Sequence, residues 1–153
     1  MPEPSALRQA NLAAAWLASG KLLDRLSTTL TLLCLALALW QKNELPIHAG
    51  LLIATILGII EKYYAIRVGF DRRIFTDWVK QWTDSRGPAA EQTMREFDEV
   101  MMKIGLRCRP TGPQRSLEER IAGSLGLLRK QAFCLSLQCA SLVGAMLARF
   151  ALP

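Results

Sequence analysis

Glu61 closes an uncharged run at 45–60, and its type and setting invite a chemical question first. A carboxyl held among apolar side chains in a membrane suits ion or proton handling. The same carboxyl opposite a cation is a structural ion pair. If residues 41–45 form a tight turn between antiparallel helices, opposed positions sum to about 86. That register sets Asp24 against Lys62 and Arg25 against Glu61, two complementary pairs. Pairing is the preferred expectation, since partial desolvation gives such pairs more weight than surface ones.

Other reactive residue types stand apart from one another. His48 is the sole histidine, with no Cys, Asp or second His close in sequence, and reads as an interfacial polar residue. The cysteines are Cys34, Cys108, Cys134 and Cys139, with no CxxC among them. Cys134 and Cys139 point to different faces of a helix, so neither a metal site nor a disulfide is expected. All four read as small packing residues. No phosphate-binding loop, GxSxG, HExxH or EF-hand pattern is present. These patterns argue against an enzyme, and no cofactor is expected.

Two further patterns bear on contacts. Gly50, Ala54 and Gly58 recur every four residues, as do Ser136, Ala140, Gly144 and Ala148. Small residues at that spacing let helix backbones approach closely in lipid, so both stripes are candidate packing seams, to each other or to a neighbouring subunit. Arg107, Arg109 and Arg115 sit in the Pro- and Gly-containing stretch RCRPTGPQR, and Arg72-Arg73 lie on a helical flank. Their expected role is contact with anionic lipid headgroups or an acidic partner. Nucleic acid is not expected, because no binding motif or interleaved aromatics accompany the arginines. Thr28, Thr29 and Thr31 could line a pore, but such hydroxyls more often bond back to their own helix.

These residues must be positioned by helices. Half of the 153 residues are hydrophobic although 21% are charged, and the two are segregated. Residues 26–40, 45–60 and 131–148 carry no Asp, Glu, Lys or Arg. A bilayer crossing takes about 20 residues, so the first two need their amphipathic flanks. A soluble bundle with very apolar core helices is the competing reading. A cleaved signal peptide fits poorly, because Glu3 and Asp24 precede the first apolar run.

The expected elements are a helix over 5–25, amphipathic and preferably continuous with a first crossing at 26–41, with Leu12 and Trp16 on one face. Gly20 is its weak point. A second crossing at 45–64 continues as a helix to 84, with Ile66, Phe70, Ile74, Trp78 and Trp82 as the face to bury. A helix over 88–105 carries a Met94, Phe97, Met101, Ile104 seam. A basic loop covers 106–115. Ser116 and Glu119 form a capping box that opens a helix over 116–130, continuing as a third crossing at 131–151.

With residues 41–45 outside, Lys42 and Arg149 are the only basic residues on that side, which predicts a cytoplasmic N-terminus and an external C-terminus. The expectation is therefore an all-α integral membrane protein, with three transmembrane helices extended into a cytoplasmic helical bundle. Its expected role is a non-enzymatic inner-membrane subunit or scaffold, assembling with itself or with another membrane protein. The alternatives are a homo-oligomeric pore or membrane-perturbing effector, and an accessory subunit of a membrane enzyme or transporter.

Overall fold

The computed structural model describes residues 4–40, 45–84, 89–105 and 115–151, and every regular element among them is an α-helix. The helices are α1 (Pro4–Ala18), α2 (Gly20–Trp40), α3 (Leu45–Thr83), α4 (Ala90–Lys103) and α5 (Leu117–Ala151). Three stretches, Pro4–Trp40, Leu45–Thr83 and Leu117–Ala148, are long and apolar enough to span a membrane.

Only Ser19 separates α1 from α2. Its N–H donates to the Trp16 carbonyl at 3.1 Å and its hydroxyl donates to the same oxygen at 2.7 Å. The tightened turn interrupts the regular ladder without reversing the chain. Downstream, α3 has 39 residues and runs about 58 Å at 1.5 Å per residue. Nothing stops it early, because Pro46 lies in the first turn, where its missing N–H costs no intrahelical bond. At the start of α5, the Ser116 N–H donates to Glu119 and the Glu119 N–H donates back to Ser116 Oγ, at 3.1 and 3.2 Å. That reciprocal cap satisfies two donors at the helix start.

One periodicity organises the core. On α3 the buried residues include Ile47, Ala54, Glu61, Val68, Phe75 and Trp82, each seven after the last. On α5 they include Leu117, Ser124, Gln131, Gln138 and Ala145, again at sevens. Across the α1–α2 junction, Ala13, Gly20, Ser27 and Cys34 repeat the spacing. A seven-residue repeat is slightly shorter than two helical turns, a spacing that favours left-handed coiling to keep one seam in contact. Contacts fix the directions. Gln131 reaches Gly20 and Gln138 reaches Ser27, each 111 residues apart, so α2 and α5 run parallel. Lys62 pairs with Asp24, while Gly58 lies against Thr31, so α3 runs antiparallel to α2.

The bundle has an apolar half and a charged half. In the first, Cys34, Ile47, Leu51, Ala54 and Leu142 form the core. Outside them stand Leu39, Leu52, Ile53, Ile59, Phe133 and Leu147, each more than half exposed. In the charged half, Ala10, Ala13 and Leu17 of α1 pack with Val68, Phe75, Trp78 and Trp82 of α3, Met94 of α4 and Leu117 of α5. Trp78 is the hub: Phe75 and Phe97 meet it edge-on and Trp82 stacks on it at 5.8 Å.

Two expected faces are rotated. On α1 the buried side is Ala10, Ala13 and Leu17, whereas Leu12 and Trp16 are exposed. Alanine lets α1 approach a helix already crowded with aromatics. On α3, Trp78 and Trp82 are covered by the protein's own helices, but Ile66 and Phe70 remain exposed. A strict spacing of four drifts about 40° per step around a helix, while sevens drift only about 20°.

Candidate functional site

The most unusual chemistry lies where α2, α3 and α5 meet. Glu61, Ser27, Gln131 and Gln138 are all fully buried. Each lies on the seven-residue seam that faces the other helices. Gln138 Nε2 donates to Thr31 Oγ1 at 2.9 Å and to the Ser27 carbonyl at 3.3 Å, while Ser27 Oγ donates to Gln138 Oε1 at 2.8 Å. Gln131 Nε2 donates to the Gly20 carbonyl at 2.9 Å and to Glu61 Oε1 at 2.6 Å. Further along, Ser141 Oγ donates to the Gly50 carbonyl at 2.9 Å. Amides and hydroxyls thus tie the three helices together where apolar contact alone would be slippery.

Small residues make this proximity possible. A methyl group added at Gly58 would lie 2.0 Å from Thr31 Oγ1 and 2.8 Å from Gln138 Nε2. One added at Gly50 would lie 2.8 Å from the Ala145 methyl, and one at Gly20 2.7 Å from Val68. Ala54 is fully buried between them. The Gly50, Ala54, Gly58 stripe therefore faces the bundle interior.

The other stripe does not oppose it. Ser136, Ala140 and Gly144 are exposed and Ala148 is half-buried, with nothing within 4 Å of a methyl built on Gly144. The side of α5 that meets α3 instead carries Gln131, Gln138 and Ala145, roughly 160° around the helix from the exposed small residues. Nor does the structure bring the two expected ion pairs together equally. Lys62 Nζ bonds Asp24 and also donates to Thr28 Oγ1. Arg25 is exposed, and Glu61 turns inward to Gln131. Adjacent residues on a helix point about 100° apart, so Lys62 and Glu61 cannot both face α2.

Of the basic residues, Arg107 and Arg109 lie outside the described residues. Arg72 lines a recess of about 190 Å³ with Lys21, Asp24 and Lys62. Arg73 is exposed. Arg115 lies at the edge of a larger open cavity of about 660 Å³ between α3, α4 and α5, whose walls include Phe70, Trp78 and Phe97. There Arg120 bonds Asp98 at 2.5 Å and lies 5.9 Å over the Trp78 ring. On the same wall Ser124 Oγ donates to Asp71 at 2.6 Å. Burial raises the Asp71 carboxyl above its ordinary range, with the Ser124 hydroxyl and the Arg67 charge pulling the other way.

Thr28, Thr29 and Thr31 each donate to the carbonyl four residues back. Among the described residues no three metal-ligating side chains cluster. Gln131, Gln138, Ser27 and the Asp98–Arg120 pair escaped the expectations drawn from sequence. The signal that finds the first three is a seven-residue spacing of small or polar residues, Gly20, Ser27 and Cys34 against Gln131, Gln138 and Ala145.

No family profile matches the chain, and neither the curated proteins nor the solved structures yield a match.

Proposed function

We propose that the chain is a non-enzymatic subunit of the cell inner membrane, a helical scaffold that assembles with copies of itself or with another membrane protein. The observation that carries this reading is the outer face of α5. Ser136, Ala140 and Gly144 form a flat small-residue strip between Phe133, Leu137, Val143 and Leu147, and the bundle leaves that strip uncovered. In lipid, such a strip gains by close backbone approach to a second helix. A structural rather than catalytic role is supported by the buried polar groups, which mostly bond one another across helices rather than line an open cleft.

The orientation follows the charge. The described Lys and Arg side chains, from Arg8 of α1 to Lys130 of α5, fall on the side of the charged half, which favours that half in the cytoplasm with the C-terminus outside. Tyr63 and Tyr64 then lie at the inner boundary, about 30 Å from Leu45 along α3. Lys21, Lys62 and Arg72 around the smaller recess support contact with anionic headgroups. The competing pore reading gains nothing from the threonines, whose hydroxyls are occupied by their own helices.

The deciding measurement is native mass in a mild detergent, combined with cross-linking of an Ala140→Cys variant in the membrane. The expected result is a defined multiple of the 17.0 kDa chain or a defined mixed complex, cross-linked through residue 140. A single copy by mass and no cross-link would reject the scaffold reading. Ion flux through purified protein in liposomes would transfer the case to the pore.

A further inference from the structure

We propose that Glu61 and Gln131 form a buried site for one small monovalent cation, either a proton carried on the carboxyl or a sodium ion.

The geometry begins with the amide. Both Nε2 hydrogens of Gln131 are committed, one to the Gly20 carbonyl and one to Glu61 Oε1. Both partners are acceptors, so the amide orientation is fixed, and its oxygen is excluded from both bonds. Gln131 Oε1 is consequently buried with no hydrogen-bond partner, and so is Glu61 Oε2. Two neighbouring side chains from α3 and α5 thus each leave one acceptor oxygen empty in the fully enclosed interior. Acceptors cannot satisfy one another. What they lack is a donor or a positive charge.

Among the described residues no cation supplies it. Lys62 is turned about 100° away from Glu61 on α3, where it bonds Asp24 and Thr28 of α2. Lys21 and Arg25 of α2, and Arg129 and Lys130 of α5, are exposed. The other titratable group near the site is the buried Cys134 of α5, within electrostatic range of Glu61. The buried residues of α1 are Ala10, Ala13 and Leu17, none of which titrates. A lone buried carboxylate with a single amide donor is costly. A trapped water would donate to both oxygens but leave the negative charge in place. A monovalent cation held between the two oxygens would meet both needs, whereas a divalent ion would leave an uncompensated positive charge.

The proton and sodium arms separate by infrared spectroscopy of the full chain in lipid nanodiscs, comparing wild type with Glu61→Gln. In the proton arm, wild type in sodium-free buffer at neutral pH shows a carboxylic-acid carbonyl band that is lost in the variant. In the sodium arm, the band lost in the variant is a carboxylate band, and it shifts on adding sodium chloride but not choline chloride. A Glu61 carboxylate band indifferent to sodium, lithium and potassium overturns the proposal. Should Glu61→Gln fail to fold, Glu61→Asp takes its place, and the band that belongs to residue 61 moves to the aspartate position instead of vanishing. A persistent acid band at neutral pH or a sodium-induced shift supports the site, and the absence of both refutes it.

Discussion

Gln138 of α5 bonds Ser27 of α2 twice, once through each end of its amide, and shares the same nitrogen with Thr31. Replacing Gln138 by Leu strands the Ser27 hydroxyl and removes a cross-helix tie in a fully buried position. The expected loss of bundle stability is about 1–3 kcal/mol, the desolvation cost of an orphaned buried polar group. Ser136→Ala, on the exposed face of the same helix, is expected to leave stability unchanged. Denaturation by a harsh detergent titrated into a mild one measures both. Equal effects would show that α5 does not use the 131–138–145 side for packing.

Gly58 and Gly144 make a second contrast. Gly58→Ala places a methyl group against the Thr31 hydroxyl, whereas Gly144→Ala meets open space. The first is expected to cost about 1–3 kcal/mol by overpacking. The second is expected to be neutral for the single chain. Adding Thr31→Ala should recover part of the Gly58→Ala loss, because it removes the nearest atom. Melting temperatures of the three variants and the double variant decide the point.

Asp24 and Lys62 should couple, and Arg25 and Glu61 should not. The Asp24–Lys62 side chains are 36% and 41% exposed, so screening limits the coupling to at most about 1 kcal/mol. A double-mutant cycle with Asp24→Asn and Lys62→Met measures it. Charge reversal at Arg25 is not expected to be rescued by reversal at Glu61. Rescue would place Glu61 on the α2 side of α3 rather than inside the bundle.

The Asp71 carboxyl is raised by burial, so its ionisation in the folded state is unfavourable relative to the unfolded chain. The stability it contributes is complete below the ordinary value of 3.8 and is lost as pH rises through the higher folded value. Asp71→Asn retains an oxygen to accept from Ser124 and removes this dependence. Stability profiles against pH are therefore expected to converge at acid pH and diverge upward in favour of the variant. A variant less stable than wild type at neutral pH would assign Asp71 a favourable charged interaction that outweighs its burial.

Much of the helix plan was legible because local chemistry announces it. Pro46 starts α3, nothing interrupts it before Thr83, and Ser116 with Glu119 caps α5. The hairpin register also set Asp24 against Lys62. The same register could not place Glu61, because a pairing sum describes two helices and Glu61 faces a third. The α5 seam was obscured by composition. Its repeat is Ser124, Gln131 and Gln138, polar residues that an apolar search treats as interruptions, while the conspicuous small residues lie on the other face. The covering of Trp78 and Trp82 by α1 was hidden for a related reason. Alanines such as Ala10 and Ala13 carry little hydrophobic signal, yet their small size is what allows the contact.

The unbroken repeat of sevens along α3 gives this protein a unit of permissible length change. An insertion of one residue between Val68 and Phe75 would swing Trp82 by about 100° relative to Ala54, turning a hub residue toward solvent. Seven residues inserted at matching levels in α1 and α5 as well would return every face to its place. The rod could then grow by roughly 10 Å while its internal grammar stayed intact.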